Sequence, residues 1–288
     1  MILLLFLAVA FTEPEPMQLD SGESIAVYQG RVGGDRPAIL VPGLGGSAYG
    51  FRKLAPLLEE QGYRIIVVEP LGVGLSDRPA SADYTLTAQS RRLGEVLERL
   101  EVRDALIVAQ GISGSITMRL ALHRPDLVRA IVSIEGGPAE SAATATVQHA
   151  LKLARLVSNL GGDSLLKDRY EEDLKTASGD TSWVDRRTLN RYFRGPGRDV
   201  GATLDVFAAM NAQREPERLA PRLPEINQPI LVLMGGAAHA GALDPVEVQT
   251  LRAGLPRVSF EVVPDVGHFM YEEDPRAVAD AVRRFDAP

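Results

Sequence analysis

The chain has 288 residues, 45% of them apolar and 24% charged, with a formal net charge of −7. That balance suits one globular core with an accessory layer, and interspersed charges without a basic run exclude nucleic acid and an anionic membrane surface as partners. The absence of cysteine excludes a thiol nucleophile and a thiolate metal site, and four scattered histidines offer no metal-ligand spacing, so neither metal nor cofactor is expected.

Met1 to Phe11 is an apolar run about half as long as a bilayer span. Its length suits the core of a secretory signal, and Ala8-Val9-Ala10 supplies a cleavage pattern, although the usual positive start is missing. Residues 1–16 are therefore read as a signal peptide and linker, leaving no integral membrane segment after processing. Periplasmic or extracellular export follows from that reading; a cytoplasmic location follows if the run is not a signal.

Residues 17–29 alternate around Asp20-Ser21-Gly22, which predicts a hairpin at the edge of a sheet. Ala38 to Val41 is a fully buried strand, Leu54, Leu57 and Leu58 mark an amphipathic helix, and Arg64 to Val68 is the next strand. This β-α-β alternation predicts a mostly parallel sheet with helices on both faces, whose ligands collect at the carboxyl ends of the strands. The glycine-rich loop Gly43 to Gly46 follows a buried strand and lacks the G-K-[ST] ending of a phosphate loop. Asp77 and Arg78 are expected to hold the neighbouring loop by an ion pair.

Ala105 to Val108 is a buried strand, Gly111, Ser113 and Gly114 make a tight bend, and Ile116, Met118, Leu120 and Ala121 follow at helical spacing. Strand, sharp turn and helix form the context of a nucleophile elbow. Ala130 to Ile134 is the next strand, ending in Glu135-Gly136-Gly137-Pro138. Residues 139–227 show helical periods without a buried strand and read as an inserted helical cap. Pro229 to Met234 and Val258 to Val263 complete the sheet. Between them Asp244-Pro245-Val246-Glu247 reads as a capped helix start. His123 and His149 lie on helical segments and are read as structural.

Taken together, these pieces resemble the α/β-hydrolase superfamily, in the lineage of cap-bearing esterases, haloperoxidases and dehalogenases, from Met17 to Phe285. Pro42-Gly43-Leu44-Gly45-Gly46 stands in the oxyanion-loop position, residues 69–79 match the loop after the next strand, and Pro264-Asp265-Val266-Gly267-His268-Phe269 matches the loop of the catalytic histidine. The resemblance implies an α/β fold with a mostly parallel eight-stranded sheet, a core of residues 17–138 and 228–288, and a helical cap of residues 139–227. It also implies an apolar pocket for a small ester or carbonyl compound, worked without a cofactor.

Family members place the nucleophile eleven residues after the leucine that closes the preceding helix and fourteen before the proline that ends the next. From Leu100 and from Pro125, both counts give Gly111, which has no side chain to attack with. The resemblance makes the amides of Leu44 and Ile112 the oxyanion donors and places Gly43 in the pocket. Ser113 is a nucleophile only if the elbow shifts by two residues; otherwise it is a capping serine. The loop Gly236 to Ala242, where the family's acid normally stands, contains no carboxylate. Glu135 follows the strand where some dehalogenase-like relatives keep their acid, and it either orients His268 or binds loop amides. His239 is read as an exposed loop residue or a polar group of the pocket, and Trp183 as a cap residue that reaches it.

Three functions stay open. One is a non-hydrolytic or weakly hydrolytic protein that uses His268, with Glu135, on a small carbonyl compound. The second is a serine hydrolase acting through Ser113, His268 and Glu135. The third is ligand binding without turnover.

Overall fold

The computed structural model describes residues 13–30, 34–140 and 163–287. The expected export signal, and with it His149 and the cap positions Leu153, Leu156 and Val157, lies outside these residues. No helix among the described residues is long and apolar enough to cross a membrane.

Eight strands form one sheet in the order β1-β2-β4-β3-β5-β6-β7-β8. They are β1 (Glu15–Gln18), β2 (Ser24–Gln29), β3 (Arg36–Val41), β4 (Tyr63–Glu69), β5 (Ala105–Gln110), β6 (Val128–Ile134), β7 (Ile230–Gly235) and β8 (Val258–Val263). β1 and β2 pair antiparallel and everything from β4 to β8 is parallel, so the predicted mostly parallel sheet is what the chain forms. The alternating hairpin is present, starting two residues earlier than its pattern suggests, and Gly22 supplies the left-handed turn residue at φ +91°.

The central strands are apolar at nearly every position because helices cover both faces. On one face α1 (Leu54–Glu60), α8 (Met270–Glu273) and α9 (Pro275–Phe285) pack over Leu40, Val67, Val108 and Val132. On the other, α2 (Leu86–Arg99), α3 (Ile112–His123) and α7 (Pro245–Gly254) pack over Ile39, Val41, Ile107 and Ile131. Between β6 and β7 the described chain forms α4 (Asp163–Thr176), α5 (Arg186–Tyr192) and α6 (Val200–Ala212). Its apolar residues join the main clusters: Leu174, Trp183, Leu189 and Tyr192 on one face, Val206 and Met210 on the other.

Strand order runs outward in one direction from β3 to β4 and in the other from β5 to β6. That reversal leaves a crevice at the carboxyl ends of β3 and β5, the place where such sheets bind ligands. The loop after β3 and the turn after β5 meet there. Two neighbouring loops are braced from a distance. Asp77 and Arg78 hold theirs through the backbone and not as an ion pair: Asp77 Oδ2 accepts from the Ser24 amide at 2.8 Å, and Arg78 donates to the carbonyls of Gly74 and Ser76. Asp244 caps α7 in a capping box with Glu247, as its spacing implies.

Candidate functional site

Gly111 sits between β5 and α3 at φ +56°, ψ −127°, a conformation that is costly for any residue with a Cβ. A Cβ placed there would lie 3.2 Å from Nε2 of His268 and 3.4 Å from its Cε1. A sharp strand-to-helix turn is therefore present at Gly111, and the His268 imidazole faces the point from which a side chain there would project.

Ser113 is the second residue of α3 and is fully buried. Its hydroxyl donates to the Pro42 carbonyl at 2.8 Å, tying the helix start to the loop after β3. It is not the N-cap, which is Gly111, and its hydroxyl is committed to Pro42 and not to His268.

Ile112 opens α3, so its amide is one of the four donors a helix cannot satisfy internally. Leu44 and Ile112 both rest their side chains against the apolar cluster under the sheet. The Gly43 amide donates to Oε1 of the buried Gln110 at 2.8 Å, and a Cβ on Gly43 would strike the Gln110 carbonyl at 2.5 Å. Gly43 thus holds the loop after β3 down on the end of β5. From above, the Tyr170 hydroxyl of α4 donates to the Gly45 carbonyl at 2.6 Å. Neither Gln110 nor Tyr170 was legible as a site residue: Gln110 looks like the polar end of a strand, and Tyr170 lies 125 residues from its partner.

His268 follows β8, and its ring Nδ1 lies 3.1 Å from the carbonyl oxygen of Gly241. A carbonyl only accepts, so Nδ1 carries the proton and the Nε2 lone pair points toward Gly111. Burial first, and the charge of His239 second, push the imidazole down from 6.5 to about 4, against the pull of the Gly241 carbonyl. It is a neutral base at ordinary pH. Its backbone amide donates to the Ala177 carbonyl at 2.8 Å, and Glu273 of α8 accepts from Gly267, Gly179 and Asp180, fixing the histidine loop against the inserted segment.

Glu135 takes φ +48° just past β6, and its carboxylate is used elsewhere than at His268. Oε1 accepts from the Gly235 amide and Oε2 from the Leu243 amide, the second at 2.8 Å. His239 is not exposed: its side chain is 1% accessible, its Nδ1 bonds the Ala237 carbonyl at 2.8 Å, and its Nε2 stands 3.4 Å from Oε1 of Glu135. The loop folds inward over Glu135 and carries the ring with it. Trp183 is also interior. Its indole donates to Ser178 Oγ at 3.1 Å and its ring packs on Tyr192 and Phe269, the latter meeting His268 edge-on.

Residues 37–275 match the family described as the alpha/beta hydrolase fold. The chain is 26% identical over 263 residues to an uncharacterised hydrolase of Bacillus subtilis, covering 88% of this chain and 90% of that one. It is 31% identical to lipase 1 of Psychrobacter immobilis, over 95% of this chain and 84% of the lipase. Among solved structures, a bromoperoxidase from Bacillus anthracis superposes with a TM-score of 0.78 at 18% identity, covering 95% of this chain and 99% of that one, a likeness that speaks to fold.

Proposed function

The chain belongs to the α/β-hydrolase fold family, and from that premise we propose that it binds a small, largely apolar carbonyl compound without forming an acyl-enzyme. One observation carries the reading: the Nε2 lone pair of His268 faces Gly111, where a nucleophile's side chain is missing. Acyl transfer needs a group that His268 can deprotonate and that then attacks. In its place a ligand's own hydroxyl or N–H donates to Nε2, while the amides of Ile112 and Leu44 take the carbonyl oxygen.

The backbone donors and the base support such a contact, and the low proton affinity of His268 favours accepting a hydrogen bond over holding a proton. The Ser113 alternative requires its hydroxyl to leave Pro42 and the elbow to move two residues along the chain. In the proposed role Ser113 is a brace.

Fluorophosphonate labelling with peptide mass spectrometry tests this. The natural chain is expected to take no label, and Gly111→Ser to take it at position 111 unless His268 is also replaced. The substitution should cost about 1 to 3 kcal/mol in stability, because φ +56° suits glycine and the new Cβ crowds the imidazole. An adduct on Ser113 of the natural chain would overturn the proposal.

A further inference from the structure

We propose that Glu135 is a positioning residue for His268: it staples the loop after β7 so that the Gly241 carbonyl occupies the place of a triad carboxylate at Nδ1. The inference rests on the reading of His268 as the working group of the site.

Each oxygen of Glu135 takes one end of the loop, Oε1 the Gly235 amide and Oε2 the Leu243 amide. Held at both ends, residues 236–242 must turn back on themselves. His239 fills the inside of the turn and gives its Nδ1 proton to the Ala237 carbonyl. Its other nitrogen then faces a carboxylate oxygen at 3.4 Å. Burial raises the Glu135 carboxyl, opposed by the two amides and by His239.

The far side of the turn delivers Gly241. Its φ is +81°, and a Cβ there would lie 3.2 Å from Nδ1 of His268, so both the backbone conformation and the close approach call for glycine. The Ala240 amide donates to the Thr176 carbonyl at 2.8 Å while the His268 amide donates to Ala177. Carbonyl and imidazole are thus hung from adjacent residues and held at bonding distance. A carbonyl at Nδ1 fixes the tautomer as a carboxylate would, but it brings no full negative charge to stabilise an imidazolium. The geometry therefore keeps the aim of the base and gives up its ability to store a proton.

The charged and titratable groups around the ring are His239 and, behind it, Glu135 from the β6 and β7 side, with Glu273 of α8 bonded to the Gly267 amide. Nitrogen-15 NMR of the histidine rings reads the consequence without any ligand. In the natural chain His268 should appear as the Nδ1–H tautomer. In Glu135→Gln the amide can accept at one oxygen only and turns donors toward the other loop end. Faster exchange of the Gly235 and Leu243 amides should come with a mixed His268 tautomer and a titration moving from about 4 back toward 6.5. Glu135→Asp, which keeps both acceptors, should restore part of each signal.

Freed amides with an unchanged His268 tautomer and titration would overturn the proposal. So would an Nε2–H tautomer in the natural chain, a result that stands even if Glu135→Gln does not fold. Neither readout depends on fluorophosphonate reactivity, so failure of the staple and failure of the binding reading are separately visible.

Discussion

Glu69 and Glu135 stand on opposite sides of the crevice, at the carboxyl ends of β4 and β6, and both are buried carboxyls pushed up by desolvation. Each accepts two backbone amides, Ala48 at 2.7 Å and the nearby Leu75 at 2.6 Å for Glu69, and the sequence-distant Gly235 and Leu243 for Glu135. The difference lies in the third partner. For Glu69 it is the Tyr28 hydroxyl, at 3.2 Å, whose own burial keeps it protonated. For Glu135 it is the His239 imidazole, whose ring centre is 6.4 Å from that of His268. The same stapling device is inert scaffold on one side and adjoins the base on the other.

The largest effect that tests this contrast is Glu69→Ala, which strands the buried Ala48 amide, the partly buried Leu75 amide and a phenol. A loss of about 3 to 5 kcal/mol is expected in urea unfolding, while the His268 tautomer stays as it is in molecules that remain folded. A shifted tautomer would erase the distinction between the two carboxylates.

Acid sharpens it on the other side. The folded His268 value, about 4, lies below the ordinary 6.5, so its stabilising contribution is complete above 6.5 and is lost as pH falls toward 4. Over that window stability should drop by about 2 kcal/mol, less than the full shift would give because His268 keeps some contact with solvent. His268→Asn should remove that part of the slope in pH-resolved denaturation.

The smallest effect belongs to Ser113, which ties the two loops of the crevice together between these carboxylates. Ser113→Ala should cost about 1 kcal/mol by thermal or urea melts, the worth of its bond to Pro42, and leave ligand affinity intact. A complete loss of binding would mean that the brace also sets the oxyanion loop.

Much of this molecule can be read locally. The apolar runs at Ala38 to Val41 and Ala105 to Val108 became central strands because their residues suit burial on both faces wherever the chain goes. That position 111 offers no side chain was legible at once, since glycine has none under any fold, and its place in the turn after a strand followed from the helix limits on either side. The position of His268 followed from loop order after the last strand.

Partners were another matter. Ser113 looked like a cap or a nucleophile and is bonded to Pro42, 71 residues away; His239 looked exposed and is buried on Glu135; Glu135 itself ties amides 100 and 108 residues on. The sequence alone determined strand identity and the strand-turn-helix around Gly111, because those depend on residue type and near neighbours. Only tertiary structure decided what orients His268, because a carbonyl is present at every residue and is singled out as the partner of Nδ1 by where the fold places Gly241.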